Sequence, residues 1–185
     1  MRAMTTRYTV RPVRAHEWRE ARALRLAALS DEAAAVAFLT TYAEASVRSD
    51  DFWADQTANS SADAGPEARA RQFVVVSDDG GWVGTAVALV ERAGDTDPGG
   101  RPVGEAGGYV AAVYLAPEHR GRGLLAGLLA ATTGWLREQG LPRARLFVHT
   151  ENPRARRAYE KAGFRATGVQ VTAVNGPELE MELPL

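Results

Sequence analysis

One segment constrains this chain more than any other: Val113-Tyr114-Leu115-Ala116-Pro117-Glu118-His119-Arg120-Gly121-Arg122-Gly123-Leu124-Leu125. The nearly continuous apolar run over 109–115 reads as a central strand covered on both faces. Pro117 has no amide hydrogen for a ladder, so the strand stops before it. The two glycines permit positive φ and close backbone approach. Apolar periodicity from Leu124 predicts a helix over 124–137, closed by Gly140 with Pro142 beyond. A helix N-terminus leaves its first amides unpaired and carries about half a positive charge. Two arginines add donors and charge. The segment is therefore a predicted anion site, and a pyrophosphate suits it.

Other readings of the turn compete. Gly121-x-Gly123-x-x-Ala126 also fits a relaxed dinucleotide fingerprint. That fingerprint follows its strand directly and opens a long βαβ series, whereas here four residues from Pro117 to Arg120 intervene and little chain follows. A P-loop is excluded, because no Gly-Lys-Ser/Thr follows. Taken alone, the turn also suits a glycine-rich helix entry with solvated arginines.

The remaining chain supplies an alternation of strands and helices. Alternation over 8–13 predicts a first strand. Trp18, Ala21, Leu24 and Ala28 share one helical face. A second helix is expected over 31–47 and a shorter one after Ser49. Residues 58–68 read as loop. Strands are predicted over 72–76 and 82–90, joined by Asp78-Asp79-Gly80-Gly81. Residues 92–107, rich in Gly, Asp and Pro, are expected to form a mobile hairpin loop. Another buried strand is expected over 144–148. Asn152-Pro153 opens a helix that Gly163 closes. Strands over 169–174 and 178–183 flank Asn175-Gly176 as a hairpin. The expected order is β-α-α-β-β-β-α-β-α-β-β, in one domain over 8–185 behind a loose tail over 1–7.

Composition narrows the function classes. Hydrophobic residues make up 45% of the 185, enough for a sizeable core. A net charge of −1 gives no global field toward nucleic acid or membranes. No apolar run approaches the roughly 18 residues of a membrane span, and the start lacks an apolar signal core. Cysteine is absent, which removes disulfides, thiolate metal sites and a cysteine nucleophile. A cytoplasmic protein is expected.

Leu115-x-Pro117-x-x-Arg120-Gly121-x-Gly123 resembles the acyl-CoA motif of the GNAT superfamily of N-acetyltransferases. A second match follows in the family's order: Val148-x-x-x-Asn152-x-x-Ala155-x-x-Ala158-Tyr159-x-x-x-Gly163-Phe164. The resemblance implies an α/β (α+β) fold with a mixed, mostly antiparallel sheet, whose fourth and fifth strands splay apart, flanked by helices. It implies acetyl-CoA as cosubstrate and a primary amine as acceptor, with no metal. The pantetheine arm would lie in the splayed gap along Val113, Tyr114 and Leu115. The turn Arg120, Gly121, Arg122, Gly123, Leu124 and Leu125 would hold the pyrophosphate. Asn152 would contact the cofactor, and Tyr159 would face its sulfur. Leu125 departs from the family, which usually has Gly or Ala there.

The chemistry then assigns roles. An amine with pKa near 10.4 is mostly protonated at pH 7, so a base is useful. A tyrosine is protonated there, so Tyr159 can give a proton to a departing thiolate, or it simply packs on its helix face. Asn152 is also a good N-cap. Many relatives carry a carboxylate base where this chain has Tyr109. His149 is the substitute candidate, with a hydrogen-bonded bystander as the alternative. Glu105, His119, Glu44 and Asp51 are weaker candidates. Phe38, Tyr42, Phe52 and Trp53 line an apolar acceptor pocket or belong to the core. With no cysteine for an acyl-enzyme, transfer would be direct in a ternary complex. Two rivals remain: a non-catalytic acyl-CoA-binding or sensor module, and an interaction protein whose glycine turn is only structural. Edge strands and the final hairpin are compatible with a homodimer.

Overall fold

The computed structural model describes residues 6–185. Most of the expected tail over 1–7 lies outside the described residues. Arg7 is already tied in: its amide donates to Asp78 Oδ2 at 3.2 Å and its carbonyl accepts from the Asp78 amide at 3.0 Å.

Seven strands form one sheet: β1 (Tyr8–Pro12), β2 (Ala70–Ser77), β3 (Trp82–Glu91), β4 (Gly107–Leu115), β5 (Arg143–His149), β6 (Arg165–Ala173) and β7 (Gly176–Pro184). Their order is β1-β2-β3-β4-β5-β7-β6. Every neighbouring pair is antiparallel except β4 and β5, which run parallel. The helices are α1 (Trp18–Leu29), α2 (Ala34–Ala37), α3 (Tyr42–Ser46), α4 (Asp50–Ser60), α5 (Leu124–Glu138) and α6 (Pro153–Lys161). This is the mixed, mostly antiparallel architecture expected from the sequence.

The helices cover the two faces of the sheet. α5 buries Leu128, Leu129, Thr132, Trp135 and Leu136, spaced at three and four residues. Thr132 bonds back to the carbonyls of Leu128 and Leu129, so its hydroxyl is satisfied in the core. Gly108 lets α5 sit close. A Cβ there would stand 2.5 Å from Leu136 Cδ1. On the other face, Leu24 and Ala28 of α1 pack with Trp53 of α4, Val74 and Tyr114.

Three expectations are corrected. The helix expected over 31–47 is broken into α2 and α3. Phe38 between them is extended, at φ −137° and ψ 145°, which turns its ring into the core. Thr41 then caps α3 with Glu44 in a reciprocal box. The helix after Ser49 is not short, because Ser49 accepts from the Phe52 amide and α4 runs 11 residues. The loop over 92–107 is pinned rather than free. The Asp97 side chain is fully buried and accepts from the amides of Gly99 and Arg101.

β4 and β5 pair only at Gly108↔Ala144 and Tyr109↔Arg145. Beyond those pairs they diverge, so the edge of β4 facing β5 loses its strand partner. A bulge accompanies the divergence. Ala86 of β3 faces two residues of β4, Ala112 and Val113, and Ala112 adopts φ 51°. Bulges bend the strand that carries them. A left-handed alanine costs about 1–2 kcal/mol, so surrounding pairs must hold it there.

Candidate active site

The turn after β4 is an amide cradle. Gly121 and Gly123 both have φ 76°. No amide from Gly121 to Leu125 donates to a backbone carbonyl, and the first amide of α5 with a partner is that of Ala126, bonded to Gly123 O at 3.1 Å. Five adjacent donors at a helix N-terminus favour an anion. Leu124 and Leu125 turn their side chains onto the core beside α5, so the leucine in place of a small residue leaves the cradle open.

The two arginines of the turn differ. Arg120 donates through Nε to Leu115 O at 2.7 Å and through Nη2 to Asp31 Oδ2 at 2.6 Å. Its side chain ties the loop to the end of α1. Arg122 is exposed and reaches only Glu118 O, at 3.4 Å. It is the arginine whose guanidinium is available to a bound phosphate.

A cleft of about 220 Å³ occupies the gap between β4 and β5. The gap widens toward the C-terminal end of β4, from which the cradle departs. Val113, His149, Asn152 and Tyr159 all border this cleft. Asn152 Oδ1 caps α6 by accepting from the Ala155 amide at 3.2 Å, which leaves its amide nitrogen for the cleft. Tyr159 is buried, and that burial alone pushes its phenol up from the ordinary range. It stays a proton donor across physiological pH. Tyr114 and Leu115 do not border the cleft: their side chains point into the two opposite cores, and Leu115 O is taken by Arg120 Nε.

His149 is held at both nitrogens. Nδ1 accepts from the Glu151 amide at 3.1 Å, so the proton lies on Nε2, which donates to Asn175 O at 2.9 Å. This is a neutral, oriented ring with no nitrogen left for an acceptor. Tyr109 faces the cleft from the floor, and burial raises its phenol. Other candidates lie elsewhere. Glu105 is exposed beside Arg143 at 3.8 Å. Glu44 is used in the α3 cap. His119 Nδ1 pairs with Tyr8 Oη at 3.0 Å. Asp51 is exposed in the first turn of α4. Of the four aromatics, only Phe38 borders the cleft. Trp53 is core, and Tyr42 and Phe52 are exposed.

Sequence reasoning missed the charged layer on this face of the sheet. Arg145 grips Glu91 with Nε and Nη2, both at 2.8 Å, and reaches Glu180 at 3.1 Å and Asp97 at 3.3 Å. Arg101 bonds Asp97 at 3.0 Å and stacks 3.9 Å from the Phe147 ring centre. Glu178 and Arg25, both bordering the cleft, were also missed. Alternation along β5 and β7 carried a faint signal, since Arg143, Arg145, Glu178, Glu180 and Glu182 recur at every second position.

Residues 37–164 match the model of the acetyltransferase (GNAT) family. The chain belongs to the GNAT family. Its relatives include a mycothiol acetyltransferase of Nocardiopsis dassonvillei, 40% identical over 97 residues. That match covers 50% of this chain and only 27% of the relative, so the chain spans about a quarter of that protein's length. Among solved structures, an acetyltransferase of the GNAT family from Streptococcus pneumoniae superposes with TM-score 0.72 at 16% identity, covering 97% of this chain and 99% of that one. A GNAT phosphinothricin acetyltransferase from Sinorhizobium meliloti, solved in complex with AcCoA, superposes with TM-score 0.65 at 18% identity, covering 96% and 88%. At such identities the structures bear on the fold alone. The mixed sheet, with its parallel β4 and β5 and flanking helices, is thus the fold of a GNAT domain.

Proposed function

We propose that this chain transfers an acetyl group from acetyl-CoA to a primary amine, directly, within a ternary complex. The observation that carries the reading is an alignment along β4. Its edge from Tyr109 to Val113 borders the cleft that holds the buried phenol of Tyr159, and five unpaired amides follow beyond its C-terminal end.

Each part has a chemical use. Amides from Gly121 to Leu125, with Arg122, suit the pyrophosphate. The free edge of β4 beyond Tyr109 suits the amide groups of the pantetheine arm, as a strand partner would. Acetyl-CoA supplies an activated thioester carbonyl. Backbone near the Ala112 bulge is turned toward that gap and can donate to developing charge on oxygen. Asn152 offers its side-chain amide. Tyr159 holds a proton at Oη for the departing sulfur. The absence of cysteine in this chain supports direct transfer, since no thiol is present to carry the acetyl group.

The test has two readings. Calorimetry with acetyl-CoA should give saturable binding, and an amine panel followed by free-thiol release should identify turnover. Binding with no turnover on any amine would return the chain to the acyl-CoA sensor reading. No binding would sink both.

A further inference from the structure

Two ionic side chains face this cleft, one loosely paired and one without a carboxylate partner. Glu178 enters from β7. It is 7% exposed, and its Oε2 is buried with no hydrogen-bond donor. The nearest cation, Arg101 Nη1, stands 3.6 Å away, and Arg101 is directed at Asp97 and stacked on Phe147. Asn175 beside it also has buried side-chain atoms without partners. The second group is Arg25 of α1. Its guanidinium lies 4.5 Å from the Phe38 ring centre on the cleft wall, and it pairs with no carboxylate among the described residues. Burial pulls it down to about 10, so it is still a cation at neutral pH. Buried or half-buried charges without a hydrogen-bonded counter-ion are costly, so a site that leaves both signs under-satisfied favours a ligand bearing both.

Resting on the acetyltransferase reading above, we propose that the acceptor is a small dipolar amine, its ammonium held by Glu178 and its anionic group by Arg25. Phe38, Leu39 and Phe147 supply the apolar wall between them. The cleft of about 220 Å³ must also admit the end of the pantetheine arm, which leaves room for a small acceptor only. A polycation is selected against, because an extra ammonium would face Arg25. The same arrangement supplies the missing proton acceptor. The ammonium gives one proton to the Glu178 carboxylate, the nitrogen bonds the acetyl carbon, the carbon–sulfur bond breaks, and the sulfur takes the Tyr159 proton. The nitrogen's surplus proton then restores the Tyr159 phenol, and Glu178 releases its own to solvent.

The experiment is a calorimetric panel on the CoA-saturated protein. It uses the twenty amino acids, with the decarboxylated amine and the deaminated acid matching each of leucine, methionine and phenylalanine. At least one amino acid should bind, and at least tenfold more tightly than its two single-charge analogues. Arg25→Gln should cost that amino acid tenfold or more and leave the matching amine unchanged. Glu178→Gln should do the converse, leaving the matching acid unchanged, and Glu178→Asp should restore part of the loss. An amine that binds as well as its amino acid overturns the proposal, as does a panel in which nothing binds. Those outcomes differ from failure of the acetyltransferase reading, which would show as no binding of CoA itself. The wild-type panel decides the matter without any variant, and melting curves report whether each variant is folded.

Discussion

Arg120 Nη2 donates to Asp31 Oδ2 at 2.6 Å, which clamps the loop after β4 to the end of α1. The Asp31 side chain is 6% exposed and that of Arg120 23%. Removing one partner of a buried pair leaves the other charge stranded. Arg120→Ala should therefore destabilise the fold by about 2–3 kcal/mol, less than for a fully buried pair because Arg120 reaches solvent. Melting should fall by roughly 5–10 °C. Arg122→Ala should leave melting nearly unchanged and weaken acetyl-CoA binding in calorimetry. If the two variants behaved alike, the division of labour between these arginines would be wrong.

Tyr159→Phe tests the proton donor. The phenol is perturbed by burial alone, so its loss removes no internal hydrogen bond that shapes the fold. Turnover should drop by about 10²–10⁴, the usual contribution of a positioned acid. The acetyl-CoA dissociation constant and the melting temperature should hold. Stopped or steady-state thiol release, paired with calorimetry, separates these effects, and unchanged turnover removes Tyr159 from the mechanism.

Gly108→Ala tests the close packing of α5 on β4. The added Cβ would meet Leu136 side-chain carbons at 2.5 and 2.8 Å, and Leu136 is fully buried. Overpacking of this kind costs about 1–3 kcal/mol. The double variant with Leu136→Val should recover part of that loss in chemical denaturation. No recovery would place the strain elsewhere.

Asp97 should make stability fall in acid. Burial pushes its carboxyl up, but hydrogen bonds from the Arg101 amide and side chain, with the charges of Arg101 and Arg145, more than reverse this and hold it below the ordinary carboxylate range. A folded-state value below the unfolded one gives stability that is fully present above about pH 4 and lost as pH falls through the folded value. Asp97→Asn should flatten the melting-temperature profile below pH 4 while lowering stability at pH 7. A slope identical to wild type would show that other carboxylates carry the acid transition.

Legibility from sequence followed the range of the physics. The cradle over 120–125 and the Asn152 cap were readable because glycine, proline and capping residues act on their own few residues of backbone. Strands β4 and β5 were readable because burial on both faces leaves a nearly unbroken apolar run. The break at Phe38 was not, since its extended conformation follows from a place in the core on which α1, α4 and β2 converge. Nor was the pinning of the 92–107 loop, whose Asp97 meets Arg145 48 residues away.

The sequence by itself determined the strand–turn–helix and its row of free amides, because both rest on short-range backbone chemistry, while the family came from the resemblance of its two motifs. Only the tertiary structure decided which charged groups are consumed and which stay open. Arg120 and His149 looked available in sequence and are engaged by partners. Glu178 and Arg25 looked like ordinary charges and face the cleft, the first only loosely paired with Arg101 and the second with no carboxylate. Partnership of that kind depends on distances between elements far apart in the chain, and no local pattern encodes it.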